Sequence, residues 1–245
     1  MLLLRHLELK PGLKVLDLGS GAGFPLMELA GRLGTSCKLY GIDPWKTACS
    51  RARQKIKNYG LTNVEIIENS AEKIPFPPDS IDLVVSNLGI NNFEDPHIVF
   101  KECSRVLKPG GKLALTTNLN GHWKEFYSIF ENTLLQLGKT DMTKLTSQQE
   151  HRGSVESISK LFADCGLKVC RHYEDSFEMK FLDGSAFLNH YFVKLGWLSS
   201  WRDLVPQEEQ KKVFALLEAN LNEHAKNSGE LKLTVPMLFV EGEKS

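Results

Sequence analysis

The sequence predicts an α/β fold: a doubly wound, mostly parallel sheet of seven strands with a helical cap inserted between the last two. Three observations point there. Short β-rich runs alternate with helical patterns through the first half of the chain, which implies parallel strands with helices on both faces. An apolar strand near the N-terminus runs through a glycine-rich turn directly into a helix. About fifty-five residues, Asp175–Glu230, carry two helical patterns between the last two strand-like runs.

Taken in order, Lys14–Leu18 reads as a strand and Pro25–Leu33 as a helix. A strand at Lys38–Ile42 follows, then a helix at Thr47–Tyr59 with its basic face outward. Val64–Glu68 and Ile81–Val85 are strands separated by the turn-rich Pro75-Phe76-Pro77-Pro78-Asp79. A helix at His97–Val106 is stopped by Lys108-Pro109-Gly110-Gly111, and Lys112–Thr117 is the next strand. The second half changes character. It reads as a helix at Trp123–Leu137, a polar stretch from Gly138 to Gly153, a short helix at Ser154–Cys165 and strands at Leu167–Tyr173 and Leu231–Val240. Within the insertion, Leu188, Tyr191, Phe192, Leu195 and Leu198 recur at helical spacing, with Phe187, Trp197 and Trp201 beside them. A second stripe is Val213, Leu217, Leu221 and Ala225. The expected organisation is one domain over residues 1–245: a ligand-binding half (1–120) and a half (121–245) whose cap spans 175–230.

Composition excludes several classes. Thirty Lys+Arg balance thirty Asp+Glu in 245 residues, without the basic excess of a phosphate-backbone binder. No segment reaches the roughly 20 apolar residues of a membrane span, and Met1–Leu4 is too short for a signal-peptide core. The five cysteines are scattered, with no C-x-x-C and no zinc-type spacing, so reduced and mostly buried thiols in a cytoplasmic protein are expected, and no metal.

The most informative stretch is Val15-Leu16-Asp17-Leu18-Gly19-Ser20-Gly21-Ala22-Gly23-Phe24-Pro25. Three glycines at alternate positions allow a tight turn and a close approach of backbone to a ligand, and the helix beyond offers free N–H groups. The dinucleotide pattern G-x-G-x-x-G is not met, because Phe24 stands where its third glycine belongs. Asp17 would repel a pyrophosphate but suits a cationic group such as an amine, so a zwitterionic nucleoside fits better than NAD. Twenty residues after Gly23 comes Asp43, at a strand end, where a carboxylate accepts hydrogen bonds from both ribose hydroxyls.

Residues 14–117 resemble the class I S-adenosylmethionine-dependent methyltransferases of the broad small-molecule type. Asp17–Gly23 matches that family's first motif and Asp43 its ribose acid. Asn69-Ser70-Ala71-Glu72-Lys73-Ile74-Pro75-Phe76 matches its G-D-A-E-x-L-P-F segment. Ile81–Pro96 matches the fourth-strand motif, and Arg105–Gly111 the run into strand five. The resemblance implies a Rossmann-like methyltransferase fold with the last strand antiparallel. It also implies S-adenosyl-L-methionine as cofactor, S-adenosyl-L-homocysteine as product, and a role for each matched position. Asp17, Gly19, Ser20 and Gly21 would surround the methionine end, and Asp43 the ribose. Pro44 and Trp45 would lie against adenine, Ser70 and Ala71 at its edge, and Asn87 and Leu88 near the transferring methyl. Two positions depart from the family. Ser70 stands where Asp is common, and Asn91 and Asn92 replace paired histidines. Thirteen residues precede the first strand, where the family commonly has covering helices, so the cofactor site is expected to be open.

The transferred group comes from a sulfonium that already carries its leaving group, so the protein has mainly to align the acceptor and exclude water. Candidate bases are His122, His151, His190 and Tyr191, with His122 and Tyr191 singled out as catalytic candidates. Ser176–Glu230 carries six Lys/Arg against eight Asp/Glu, which disfavours a nucleic acid partner. The expected acceptor is a small molecule, apolar, aromatic or cationic, and a quinone-type acceptor is compatible with the aromatic cap. A protein or RNA acceptor, or a non-catalytic cofactor-binding role, is the alternative. Arsenite methylation is disfavoured, because no cysteine lies in the loops after strands four and five.

Overall fold

In the computed structural model, which describes residues 2–150 and 152–245, the apolar runs become the centre of one sheet. Strand β1 (Lys14–Leu18) buries Val15, Leu16, Asp17 and Leu18 almost completely, as a parallel strand covered on both faces must. It pairs in parallel with β2 (Lys38–Asp43) on one side and β4 (Ile81–Asn87) on the other. Strand β3 (Val64–Glu68) extends the sheet beyond β2, and β5 (Leu107–Asn118) lies parallel to β4. With β6 (Leu167–Phe181) and β7 (Leu231–Lys244), the order is β3-β2-β1-β4-β5-β7-β6. β7 runs antiparallel to β5, from Asn118↔Met237 to Lys112↔Glu243. The chain winds outward from β1 to β3, then crosses back to β4. The carboxyl ends of β1 and β4 therefore form the switch point where open α/β sheets bind ligands.

The connecting helices follow their local signals. Helix α1 (Leu2–His6) precedes β1, α2 (Leu26–Leu33) follows the glycine turn, and α3 (Lys46–Tyr59) ends at left-handed Gly60. Helix α4 (Pro96–Val106) starts with the Asp95 side chain accepting from the His97 and Ile98 N–H groups, with Pro96 in its first turn. Helices α5 (Lys124–Gln136) and α6 (Thr143–Glu150) come next, then α7 (Val155–Asp164) behind a reciprocal Ser154/Ser157 cap. The remaining helices are α8 (Gly184–Asn189), α9 (Tyr191–Gly196), α10 (Leu198–Arg202) and α11 (Gln207–Ser228).

Several elements differ from the sequence expectation, each for a local reason. β5 begins at Leu107, not Lys112: its register against β4 jumps from Ile81↔Leu107 to Leu83↔Lys112, so Lys108–Gly111 form a bulge inside the strand. The polar stretch from Gly138 to Gly153, to which the sequence assigns no element, contains α6, which buries little beyond Leu145 and so lacks a clear apolar period. The first cap pattern is three short helices, broken at His190 (φ −63°, ψ 134°) and at Trp197. The side chains that bury are Phe187, Leu188, Val193 and Trp201, while Tyr191 and Leu195 from the expected stripe are exposed.

The chain divides into two compact units. The first is residues 1–118, 154–175 and 237–245; the second is 119–153 and 176–236. The second unit takes in α5 and α6 as well as most of the cap, while 154–175 and 237–245 belong to the first unit. All five cysteines are free, four of them buried and Cys170 exposed.

Candidate functional site

In the first unit, the turn after β1 is held against β2. The Gly19 and Ser20 N–H groups both donate to the Ile42 carbonyl (2.9 and 3.1 Å), and Lys55 Nζ donates to Ala22 O at 2.7 Å. Gly19 sits at φ +69°, where a Cβ would come within 3.3 Å of Gly89 Cα. At Gly23 (φ +97°) a Cβ would strike Met27 at 2.5 Å. Both positions require glycine. The backbone is thus packed tightly below the turn and open above it.

Asp17 is the anomaly. Its side chain is fully buried, and neither carboxylate oxygen has a hydrogen-bond partner. Burial pushes its carboxyl well above the ordinary range, and the nearby Asp43 charge adds to the effect. The Leu26 N–H, short of a hydrogen bond, offsets a part. An unpaired buried carboxyl costs free energy, and a cation beside it would relieve that cost. Ser20 Oγ is likewise buried and unpartnered.

Asp43, 7% exposed at the end of β2, accepts from the Gly21 N–H at Oδ2 (2.8 Å) and from the Trp45 N–H at Oδ1 (2.9 Å). It fixes the turn and still has lone pairs for two hydroxyls. Pro44 and Trp45 follow directly, and the indole of Trp45 is 72% exposed, an apolar plate beside the carboxylate. The loop after β3 lies at the same end: Asn69 N–H donates to Asp43 O at 3.2 Å. In that loop Ala71 is buried, and the Ser70 hydroxyl is hydrogen-bonded to Glu72 instead of standing free.

At the end of β4, Asn87 Oδ1 accepts from Thr116 Oγ1 (2.7 Å), and Leu88 turns through the left-handed region (φ +63°) with its N–H on Thr116 O. Asn91, one of the two that replace histidine, accepts from Thr117 Oγ1 at 2.8 Å. Asp17, Gly19, Ser20, Gly21, Asp43, Pro44, Trp45, Ser70, Ala71, Asn87 and Leu88 thus all stand at the carboxyl ends of β1 to β4. An orphaned acid, a glycine-walled turn and a second acid beside an exposed indole fit the amine, the backbone-hugging chain and the ribose-adenine of S-adenosylmethionine. A cavity of about 190 Å³ lined by Leu7, Asp82, Lys108 and Lys112 is at the other end of the sheet, where β4 begins, and has no part in this constellation.

The second unit is built on rings. Trp123 packs against Phe187 (5.3 Å between centroids), Trp197 (5.0 Å) and Trp201 (6.0 Å), and Phe126 lies 4.2 Å from Trp201. Trp123 is completely buried in a left-handed conformation (φ +56°), a costly state for a bulky residue, held by its N–H on Thr234 O at 2.8 Å. His122 stacks on its indole at 4.6 Å, and both imidazole nitrogens are buried without partners. Burial, and then the charge of Arg152, push the His122 pKa down to about 4. The ring is therefore neutral near pH 7 and a weak base. His190 also leaves Nδ1 buried and unpartnered, and its ring lies 5.5 Å from that of Phe181 between centroids. Tyr191 is 71% exposed, its ring 4.7 Å from that of His190. Phe187, which the sequence places beside the helical stripe, is wholly buried and belongs to the core. His151 lies outside the described residues.

Sequence reasoning missed Tyr127 and Arg152. Tyr127 is one aromatic among several on α5, and Arg152 ends a stretch read as polar loop. Neither position carries a motif. Among the described residues no three His, Cys, Asp or Glu side chains are grouped to hold a metal, and no helix is long and apolar enough to cross a membrane.

Comparison with known proteins identifies the family and the fold. The methyltransferase domain family matches residues 16–115. A demethylmenaquinone methyltransferase of Geobacillus sp. (strain WCH70) is 34% identical over 174 residues, covering 67% of this chain and 74% of that protein. Among solved structures, the YcgJ protein of Bacillus subtilis superposes with a TM-score of 0.61 at 18% identity, covering 99% of this chain and 96% of that one. A SAM-dependent methyltransferase of Aquifex aeolicus gives 0.55 at 27% identity, covering 69% and 79%. The glycine turn, the two placed acids, the strand order and these matches lead to one family: the chain belongs to the class I S-adenosylmethionine-dependent methyltransferases.

Proposed function

We propose that this enzyme methylates a small acceptor with a largely apolar, aromatic body, the first unit holding S-adenosylmethionine and the second selecting the acceptor. The observation that carries this reading is the ring cluster around Trp123, which keeps His122 Nδ1 and Nε2 and Trp123 Nε1 buried and unpartnered. Buried polar atoms without partners are rare in finished cores and common in ligand sites. The Geobacillus relative is named for methylating demethylmenaquinone, and an aromatic acceptor of that kind suits such a lining. A protein or RNA acceptor has no comparable support, since Ser176–Glu230 carries six basic against eight acidic side chains. A cytoplasmic location accords with a small-molecule acceptor.

When bound, the cofactor supplies a methyl carbon on sulfur, ready for displacement, and leaves as S-adenosylhomocysteine. This chain's residues do the positioning. Asp17 would hold the amine, exchanging an unpaired buried carboxyl for an ion pair. Gly19, Ser20 and Gly21 would present backbone to the methionine chain, Asp43 would accept from the ribose hydroxyls, and Pro44 and Trp45 would cover the adenine. Ser70 and Ala71 would border the adenine edge, and Asn87 and Leu88 the methionine. His122, neutral near pH 7, would accept a hydrogen bond from the acceptor and orient it; its low basicity suits a hydroxyl that ionises readily. Tyr191, on the exposed side of α9, would border acceptor entry.

The test is transfer of labelled methyl from S-adenosylmethionine to a panel of quinols, phenols and naphthols, beside bulk tRNA and a lysine-rich protein. Turnover of aromatic small molecules with none of either macromolecule is the expected result. Labelling of tRNA or protein alone would refute the reading.

A further inference from the structure

We infer that the second unit contains a binding site for an anionic oxygen group carried on an apolar body, with Arg152, Tyr127 and Trp123 as its donors. As the identity of the methyl acceptor this rests on the methyl-transfer reading above; as a binding site it stands alone.

Other partly buried arginines in this chain are fully engaged. Arg105 donates to Glu102 and to the Phe76 and Ile74 carbonyls, and Arg171 to Glu241 and the His6 carbonyl. Arg152 is half-buried and, among the described residues, makes no hydrogen bond, ion pair or ring contact. Its position is fixed by its neighbour. Gly153 O accepts from the Asn120 N–H at 3.2 Å, and Gly153 bridges Leu119, so Arg152 flanks the short segment that leads into His122 and Trp123.

The groups around it are donors without acceptors. Tyr127 is buried, and its oxygen receives the Trp201 Nε1–H at 3.4 Å while its own proton meets no acceptor among the described residues. Trp123 Nε1–H is buried and unpartnered. Burial raises the Tyr127 pKa and lowers that of His122; the Arg152 charge reaches both, opposing the first shift and adding to the second, and among the described residues no carboxylate acts on the guanidinium in return. A guanidinium, a phenol O–H and an indole N–H beside packed aromatic rings are the complement of a carboxylate, a phosphate or an ionised phenol on a flat apolar frame. Cationic acceptors, which the sequence left open, are repelled.

The probes are 2-naphthoate, its neutral methyl ester and inorganic pyrophosphate, with binding followed by tryptophan fluorescence, since Trp123, Trp197 and Trp201 sit in the cluster. The wild-type chain is expected to bind 2-naphthoate at least about tenfold tighter than methyl 2-naphthoate, the gain of a charge-assisted bidentate contact. Arg152→Gln should reduce that preference to within about twofold, with an unchanged or higher unfolding temperature, because it removes an unpaired, partly buried charge. Pyrophosphate, charge without an apolar body, should compete weakly. Equal binding of acid and ester, binding of neither, or a preference that survives Arg152→Gln overturns the site, and strong competition by pyrophosphate overturns the apolar-body requirement. Arg152→Gln should bind S-adenosylmethionine as the wild type does. A wild-type chain that fails to bind S-adenosylmethionine sinks the methyl-transfer reading and leaves the naphthoate comparison standing.

Discussion

The two compact units leave opposite kinds of polar group unsatisfied. Among the described residues of the first, the unpaired buried atoms are oxygens: both carboxylate oxygens of Asp17 and the hydroxyl of Ser20. In the second, they are nitrogens, both of His122, Nε1 of Trp123 and Nδ1 of His190, joined by the Arg152 guanidinium, which has no counter-ion among the described residues. Folding alone favours neither arrangement, because each orphan costs on the order of 1–3 kcal/mol. On the functions proposed above, the signs differ because the ligands differ: a cation would meet the first unit, and an oxygen-rich group on an apolar body the second. Sites of this kind are places where stability yields to binding.

The comparison can be broken or sharpened by substitution, beginning with the largest effect. Phe187→Ala should destabilise the protein by about 3–5 kcal/mol, since the ring is wholly buried among Trp123, Phe126 and Trp201. Denaturant unfolding measures this, and a loss below about 1 kcal/mol would mean that the ring is not a packed part of the core. Asp43→Ala removes two hydrogen bonds to an ionised acceptor and loosens the turn through Gly21. Calorimetry should find S-adenosylmethionine binding weakened by about 2–4 kcal/mol, roughly thirty- to a thousand-fold, and wild-type affinity would refute the ribose assignment.

His122 sharpens the contrast through pH. Its folded pKa of about 4 lies below the ordinary value of 6.5. Between those values the unfolded chain takes up a proton that the folded chain refuses. Its stabilising contribution is therefore complete above pH 6.5 and is lost as pH falls toward 4. Discounted for partial exposure, the loss is about 1–2 kcal/mol. The difference in unfolding free energy between wild type and His122→Leu, measured at pH 7 and pH 4.5, should change by that amount, and a pH-independent difference would mean the ring is solvated. Tyr191→Ala gives the smallest effect on folding. With 71% of the residue exposed, stability should move by under about 0.5 kcal/mol and cofactor affinity by no more than a few-fold. Acceptor turnover should change; unaltered turnover in the folded variant would place acceptor entry elsewhere.

The two units also differ in how much of them the sequence reveals. The first is written in period and punctuation: Val15–Leu18, Lys38–Asp43 and Ile81–Asn87 are short apolar runs ended by turn residues, and glycine positions announce where backbone must come close. Asp17 and Asp43 could be singled out because strand ends at a switch point have a defined position in the sheet. Where this half misled, the cause was a bulge, since Lys108–Gly111 look like a stop and are instead an interruption within β5. The second unit has no such grammar. Its helices α8, α9 and α10 are each too short to fix a period, so Tyr191 and Leu195 look like core and are exposed, while Phe187, beside that stripe, is buried. Arg152 and Tyr127 acquire meaning only from what surrounds them, namely partners that should be present and are not. An absent counter-ion leaves no trace in a linear pattern.

The claim that an orphaned charge in the first unit is kept for the cofactor is tested most directly at Asp17. The measurement is the unfolding temperature of wild type and Asp17→Asn, each without ligand and with saturating S-adenosylmethionine. Burial raises the Asp17 pKa, so the ionised carboxylate is disfavoured in the ligand-free fold at neutral pH. Asp17→Asn should therefore unfold at a higher temperature than wild type without ligand, by an increment on the order of 1–3 kcal/mol. It should also lose most of the stabilisation that the cofactor gives the wild type. A variant less stable than wild type without ligand, yet stabilised equally by S-adenosylmethionine, would contradict the account.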